Sequence, residues 1–201
     1  MFPALQISHG APEAAPVDAR IVANAVLGRA AGTARPLTNL DVQKIVYFLH
    51  GHYLLRHRRP LVQGEFEAWP YGPVHRVLYD AFRDYDASPI DRLARAFDPI
   101  KRTTREMPAL ADKDAVALLD EFLDYYLGMS TYSLVELTHG AGTPWSRTVE
   151  DGEKRINVGM RISNELIRDF FEGFSPQQET TRESAARKRE RSNHGEEARR
   201  T

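Results

Sequence analysis

Three polar side chains in one stretch of the sequence have the types found in hydrolytic active sites. Ser133, Glu136 and His139 follow one another at intervals of three residues in a predicted helix, so each neighbouring pair shares a helix face. Acyl transfer also needs a strained nucleophile turn and main-chain oxyanion donors, and a short helix supplies neither. Helix capping explains Ser133 and Glu136 better. We therefore predict no catalytic residue and no enzymatic activity.

Histidines are the next candidates, because imidazole is a common zinc ligand. His50 and His52 stand two positions apart in a predicted helix and therefore point to different faces, while His57, His75 and His139 are scattered. The chain has no cysteine, and no close carboxylate completes a tetrahedral set of ligands. We predict no metal site and no cofactor.

Signals for phosphate and nucleic-acid binding are weak as well. The loop Gly140–Thr143 leads into a helix N-terminus but lacks the lysine and the preceding strand of a phosphate-binding loop. Basic clusters occur at 56–59 and 187–189, yet acidic neighbours offset the second cluster. No helix-turn-helix with a basic second helix is recognisable. We expect no nucleic-acid partner.

The overall composition is that of an ordinary soluble protein. The chain has 201 residues, of which 42% are hydrophobic and 27% charged, with a formal net charge of -1. No apolar run reaches the length of a membrane span, and the N-terminus lacks the basic-then-apolar order of a signal peptide. The absence of cysteine is compatible with a reducing cytosol. We predict a cytoplasmic protein with no membrane partner.

The segment Phe66–Val74, followed by Tyr79, combines three large aromatic side chains with a Gly-Pro turn. A strand-like segment, Leu61–Trp69, runs into a turn that holds a Trp and a Tyr in fixed positions. Proline is tolerated at the first position of a helix, so Gly72-Pro73 predicts the start of a helix over Val74–Tyr85. With no catalytic pair in reach, this corner is a structural element or a recognition surface.

Hydrophobic spacing predicts a mainly α fold with a small β-hairpin. A helix over Leu40–Arg56 is apolar on nearly every side, which is typical of a buried central helix. Thr38 and Asp41 resemble a capping box at its start. The region Asp86–Pro108 is predicted to be irregular, with at most one short helix at Asp91–Phe97. The other predicted helices are Val17–Ala30, Val74–Tyr85, Asp112–Leu127, Tyr132–His139, one that begins at Pro144, and Asn164–Glu172.

The two ends of the chain differ from its middle. Residues 1–16 are rich in Pro and Ala without periodicity and predict a flexible leader. Residues 175–201 have almost no apolar side chains and mix both signs of charge, so we expect a tail that is disordered or a frayed helix. The single compact helical domain is therefore predicted to span 17–174.

Segments along this predicted domain match a known family in order. They are Val22-Ala23-Asn24, Leu37-Thr38, Gln43–Tyr47, Arg59-Pro60-Leu61, Phe66–Trp69, Tyr71–Val74, Tyr79, Leu137-Thr138-His139, Pro144-Trp145 and Ile162. The chain therefore resembles the Panacea domain, the SocA-like antitoxin family. The leader and the tail lie outside the resemblance.

The resemblance implies an antitoxin that neutralises a cognate cytoplasmic protein toxin, encoded by the adjacent gene, through direct binding. Some members resemble adaptors that present a toxin to an unfoldase–protease, and this role is the alternative. An enzyme is the third and weakest hypothesis. Because the toxins of the family are unrelated to one another, the sequence does not name the toxin.

The aromatic corner has two interpretations. Its large side chains either pack the core or form a toxin-facing hot spot. We predict that Tyr47 and Trp69 are buried and that the remaining polar and aromatic side chains lie nearer the surface, namely Glu67, Tyr71, His75 and Arg76. The full set of candidate toxin-binding or motif residues is Lys44, Tyr47, Glu67, Trp69, Tyr71, Gly72, Pro73, His75, Arg76 and Tyr79.

A second group of residues is predicted to support the scaffold. Lys44 lies on an otherwise apolar helix and needs a partner if it is buried, and Glu67 is the predicted partner. Thr138 and His139 are predicted to fix the loop Gly140–Gly142 by hydrogen bonds. Pro144 and Trp145 complete this structural motif.

Overall fold

The computed structural model describes residues 15–154 and 160–174. Most of the described chain is helical, as predicted. The helices are α1 (Ala19–Ala30), α2 (Asn39–His57), α3 (Arg76–Phe82), α4 (Lys113–Leu127), α5 (Thr131–His139), α6 (Pro144–Lys154) and α7 (Asn164–Gly173). The strands are β1 (Phe66–Trp69), β2 (Gly72–His75), β3 (Arg95–Asp98), β4 (Thr103–Glu106) and β5 (Arg161–Ile162).

Helix α2 forms the centre of the fold. Its residues are buried without interruption from Asp41 to Leu54, because apolar side chains cover every face of the helix. Helices α1, α4, α5 and α7 and strand β2 all contact it. Its start is fixed by a capping box in which Thr38 and Asp41 bond each other's main-chain N–H groups. The predicted mainly α fold around a buried central helix is confirmed.

Helix α7 packs closely against α2 at a glycine. Gly51 leaves room for the Phe171 ring, since a Cβ atom at Gly51 would lie 2.2 Å from Phe171 Cε2. The neighbouring histidines point to different helices, as predicted: His50 Nε2 lies 2.9 Å from Asn164 Oδ1 on α7, and His52 Nε2 lies 2.7 Å from the Tyr126 hydroxyl on α4. Both imidazoles therefore join α2 to its neighbours.

Two small antiparallel sheets complete the described fold. In the first sheet β1 lies between β2 and β5, and Trp69 is the register partner of Gly72 at the β1–β2 turn. In the second, β3 pairs with β4 from Arg95↔Glu106 to Asp98↔Thr103. The first sheet carries the predicted aromatic corner.

The predicted helix start at Gly72-Pro73 is wrong. Gly72 and Pro73 open strand β2 instead, and α3 begins at Arg76. Gly72 has φ +94°, which turns the chain back along β1. Proline has no N–H to donate, and it is tolerated in β2 because β2 is the edge strand of its sheet. The predicted strand Leu61–Trp69 is also shorter than expected and begins at Phe66.

The predicted irregular region Asp86–Pro108 contains a β-hairpin, and the short helix predicted at Asp91–Phe97 is absent from the described chain. The turn between β3 and β4 is closed by Asp98, whose side chain accepts hydrogen bonds from the N–H groups of Ile100 and Lys101. Its base is held by α1, because Asn24 bonds both main-chain groups of Ala94. These long-range bonds override the weak local preference for helix.

The predicted leader, residues 1–16, lies outside the described residues as far as residue 14, and the predicted tail at 175–201 lies wholly outside them. In the described part of the chain, no helix is long and apolar enough to cross a membrane.

Candidate protein-interaction site

The aromatic corner is built on the tight turn that joins β1 to β2. Pro70 and Tyr71 form the turn between the register partners Trp69 and Gly72. Neither Pro70 nor Tyr71 has a positive φ, whereas Gly72 has φ +94°. This sequence of conformations is typical of a type I turn followed by a glycine bulge. The turn therefore needs glycine at position 72.

Three side chains from three helices hold the main-chain oxygens of this turn. The Trp145 indole donates from Nε1 to the Trp69 oxygen at 2.8 Å, and His139 Nε2 lies 3.2 Å from the Pro70 oxygen. The Lys44 amine donates to the Pro73 oxygen at 2.9 Å. Because α2, α5 and α6 each contribute one of these bonds, the turn is fixed from below and its outer face stays free for contacts.

Lys44 is fully buried beneath the turn, and its partner is a main-chain oxygen. The predicted pairing of Lys44 with Glu67 is wrong, since Glu67 Oε2 instead accepts a hydrogen bond from the Trp69 indole at 2.7 Å. Glu67 lies in the central strand β1, whereas Lys44 lies under Pro73 in β2. Burial lowers the pKa of the Lys44 amine to about 7. The Lys44 amine therefore supports the turn through its hydrogen bond, while its burial costs the solvation free energy of the charged form.

The space beneath Gly72 is filled by polar groups. A Cβ atom at Gly72 would lie 2.6 Å from Thr138 Oγ1, 2.9 Å from Lys44 Nζ and 3.0 Å from His139 Cε1. Glycine thus serves both the turn conformation and the close approach of α2 and α5. Thr138 and Lys44 meet here because α5 packs against α2 and β2.

A cleft of about 570 Å³ opens beside the turn. Trp69 and Tyr79 face each other in it with their ring centroids 4.8 Å apart, and the Arg76 guanidinium lies 5.7 Å from the Trp69 ring centroid. Tyr71 is 71% exposed at its rim. The lining residues are Thr38, Asn39, Leu40, Gln43, Trp69, Pro70, Tyr71, Val74, Tyr79, Arg83, Asp86, Ala87 and Thr131.

The structure gathers some of the predicted residues at this cleft and separates others from it. Trp69, Tyr71 and Tyr79 line it, with Arg76 above Trp69. Tyr47 is buried as predicted, but in the core, where its ring meets Phe66 edge-on at 5.2 Å between centroids. Trp69 is only half-buried, so the prediction that it is buried holds in part.

The prediction that His75 lies near the surface is wrong. His75 is 3% exposed, and its Nε2 lies 2.7 Å from the Gln63 main-chain oxygen. It is buried because it belongs to β2, whose four residues all face neighbouring elements. Burial lowers the pKa of the His75 imidazole, with partial compensation from the hydrogen bond to Gln63. His75 therefore supports the hairpin from inside.

Gln43 is a supporting residue that the sequence analysis did not single out. Its side chain accepts from the His75 N–H at 2.8 Å and donates to the His75 oxygen at 3.4 Å. One amide thereby ties β2 to α2. A signal is present in the sequence, because Gln43 and Lys44 are the two polar residues that interrupt the apolar run Val42–Leu49.

The predicted structural motif lies beside the turn, although its bonds differ from those expected. The Thr138 hydroxyl donates to the Val135 oxygen within α5, and His139 Nδ1 lies 2.8 Å from the same oxygen. The loop Gly140–Gly142 is closed instead by Thr143, whose hydroxyl donates to the Thr138 main-chain oxygen at 2.9 Å. The His139 and Trp145 rings pack together with their centroids 4.1 Å apart. Pro144 opens α6, as predicted.

Hydrolytic geometry is not assembled around Ser133. Its hydroxyl lies 2.9 Å from that of Ser130, which is the residue that caps α5. Ser130 therefore performs the capping that was predicted for Ser133. Both ring nitrogens of His139 face main-chain oxygens, on Val135 and Pro70. The described residues also contain no group of three or more His, Asp or Glu side chains that could hold a metal ion.

The basic cluster at 56–59 is neutralised by ion pairs. Arg56 forms a bidentate pair with Glu121, and Arg58 lies 3.1 Å from Glu172. Arg59 lies near Asp112 and stacks over Tyr53, with its guanidinium 4.7 Å from the ring centroid. This cluster joins α2 to α4 and α7 and presents little uncompensated charge.

Comparisons with known proteins show the family of the chain. The family model for "Antitoxin SocA-like, Panacea domain" matches residues 42–146, which include the whole β1–β2 turn and its three supporting side chains. The chain is 36% identical over 155 residues to Antitoxin SocA of Caulobacter vibrioides (strain NA1000 / CB15N), and the match covers 77% of this chain and 82% of that protein. No solved structure matches the chain significantly. The chain belongs to the SocA-like antitoxin family, the Panacea domain.

Proposed function

We propose that this protein neutralises a cognate protein toxin in the cytoplasm by binding it directly at the cleft beside the β1–β2 turn. The observation that carries this proposal is Tyr71, a large aromatic side chain that is 71% exposed on a turn held by three separate helices. Membership of an antitoxin family supports a protein partner. The adjacent gene is the expected source of that partner.

The rigidity of the turn favours binding. A side chain that is already fixed in its bound position loses little conformational entropy on association. Lys44, His139 and Trp145 hold the turn from below, so Tyr71 has a fixed point of attachment. Tyrosine and tryptophan supply much of the energy of protein interfaces, and both are present here.

The cleft supports a side chain of the partner as anchor. Trp69 and Tyr79 form one apolar wall, and Leu40 and Val74 lie in the same lining. A cleft of about 570 Å³ has room for an aromatic or a long aliphatic side chain. Arg83 and Asp86 at the rim add charged groups that orient the partner. Neutralisation would then follow from steric blockage, with no catalytic step.

Co-expression tests this proposal. The product of the adjacent gene is expressed with or without this chain, and growth and co-purification are measured together. We expect the product alone to stop growth, and this chain to restore growth and to co-purify with it. A product that is harmless by itself would contradict the proposal. A rescue that occurs without any complex would exclude direct binding.

A further inference from the structure

The β3–β4 hairpin projects a second exposed surface that the cleft does not include. Its inward-facing side chains are buried against the rest of the domain, since Ala94 and Ala96 are 4% and 6% exposed. Its outer positions are open: Phe97 is 62% exposed and Ile100, at the tip, is 92% exposed. Large apolar side chains at such exposure mark an interaction surface when they are grouped on one element.

The hairpin is held firmly at its base. Asn24 on α1 donates to the Ala94 oxygen and accepts from the Ala94 N–H, at 2.9 and 2.8 Å. Arg20 donates to the Arg95 oxygen at 3.2 Å. At the tip, Asp98 fixes the turn by accepting from the N–H groups of Ile100 and Lys101. Ile100 is therefore exposed on an ordered turn.

The hairpin carries a net positive charge, because it has four cations, Arg95, Lys101, Arg102 and Arg105, and two carboxylates, Asp98 and Glu106. Lys101, Arg102 and Arg105 are exposed, and none of them forms an ion pair with another described residue. The carboxylates of Asp98 and Glu106 reduce this positive charge but do not cancel it. An exposed isoleucine flanked by free cations complements an apolar depression that is bordered by carboxylates.

The two ends of the chain do not supply an apolar depression that is bordered by carboxylates. Residues 175–201 contain seven Arg or Lys and five Glu, so the tail is itself net positive. Residues 1–16 contain a single carboxylate, that of Glu13. A second copy of the hairpin would bring three further cations against the first three. Nucleic acid fits the charge and Phe97 has a ring that can stack on a base, but Ile100, the more exposed apolar side chain, cannot stack, which favours a protein partner.

The hairpin and the cleft are close enough for one partner to contact both. The last cleft-lining residue before the hairpin is Ala87, and Ile100 at the hairpin tip comes 13 residues later, so the two can be separated by at most about 45 Å. A large interface that buries about 1,600 Å² on each partner corresponds to a patch about 45 Å across. A single globular toxin with an interface of that size is therefore able to cover the two surfaces.

We propose that the tip of the β3–β4 hairpin is a second contact with the toxin and takes an acidic surface with an apolar depression, a proposal that rests on the antitoxin function above. Lys101, Arg102 and Arg105 steer the toxin by charge, and Ile100 enters the depression. The cleft at Tyr71 then supplies the other anchor of the same interface.

Binding kinetics of the adjacent gene's product test this proposal with two variants and one control. Lys101→Glu is expected to lower the association rate about tenfold and to weaken its dependence on NaCl. Ile100→Ser is expected to raise the dissociation rate about fivefold or more. Lys113→Glu, at an exposed lysine on α4, changes the net charge by the same amount and is expected to leave both rates within about twofold of wild type.

The outcomes separate this proposal from the antitoxin function itself. If wild type binds the product and both hairpin variants bind equally well, the hairpin proposal is wrong and the cleft proposal stands. If wild type does not bind the product, both proposals fall. Charge-sensitive binding of a duplex DNA probe by the hairpin, or self-association that Ile100→Ser abolishes, would overturn the assignment to the toxin.

Discussion

Lys44 donates a hydrogen bond from Nζ to the Pro73 oxygen at 2.9 Å while its side chain is completely buried. No carboxylate among the described residues forms a salt bridge with it. A buried charge without an opposite charge is unstable, so burial lowers the pKa of the amine to about 7. The bond that fixes the turn from α2 therefore has a measurable pH dependence.

The stability of the protein should rise with pH above neutrality because of Lys44. The unfolded chain keeps this proton up to about pH 10, whereas the folded protein loses it near pH 7, so between these values the unfolded state binds more protons. Raising the pH in this window therefore favours the folded state, by up to about 1.4 kcal/mol per pH unit. Denaturant unfolding at a series of pH values measures the slope.

Lys44→Met should remove this slope, and Lys113→Met should keep it because Lys113 is exposed. The comparison is best made below about pH 10. Burial raises the pKa of Tyr47 and Tyr126, so above that pH these tyrosines ionise on unfolding. Their ionisation lowers the stability of the folded protein as the pH rises, which opposes the effect of Lys44. An unchanged slope in Lys44→Met would show that other groups dominate.

Gly72 should tolerate no side chain. Gly72→Ala places a Cβ atom 2.6 Å from Thr138 Oγ1 on a residue with φ +94°. We therefore expect the protein to lose about 1–2 kcal/mol of stability from backbone strain, and to lose more from the clash. Gly142→Ala is the matched control, because Gly142 has φ +79° but no atom within 4 Å of its Cβ position. Thermal unfolding of both variants compares them. Equal losses would mean that the space beneath Gly72 is not tight.

The sequence predicts the central helix well because its signals are local. An uninterrupted apolar surface and the Thr38–Asp41 capping box are both readable in α2, and both are present. The partner of Lys44 could not be predicted in the same way. Glu67 has the right charge, but the main-chain oxygen that bonds Lys44 comes from the turn at Pro73, and main-chain groups leave no mark in the sequence.

The β3–β4 hairpin shows the other limit of sequence-based prediction. Its strands are four residues long, and β4 is exposed at every position, so it has no alternation of buried and exposed side chains. The bonds that hold it come from Asn24, about 70 residues earlier in the chain. The prediction that His75 lies near the surface fails for a related reason. The position of His75 in β2 depends on its pairing with Phe66, which the local sequence does not indicate.

The packing of α7 on α2 should depend on Gly51. Gly51→Ala would place a Cβ atom 2.2 Å from Phe171 Cε2, so we expect a loss of about 1–3 kcal/mol from overpacking. Gly28→Ala in α1 is the matched control, because no atom lies within 4 Å of its Cβ position, and there alanine should stabilise the helix by about 0.5–1 kcal/mol. Urea unfolding gives both values. A neutral Gly51→Ala would mean that α7 moves away easily.

The most direct test of toxin binding at the corner is the dissociation constant of Tyr71→Ala for the adjacent gene's product, measured by calorimetry beside Tyr132→Ala. Tyr71 is 71% exposed and Tyr132, which lies outside the cleft lining, is 63% exposed. Both variants should keep their thermal stability within about 0.5 kcal/mol. We predict that Tyr71→Ala weakens binding about tenfold or more, while Tyr132→Ala stays within about twofold of wild type. Wild-type affinity in a folded Tyr71→Ala variant would contradict the proposed site.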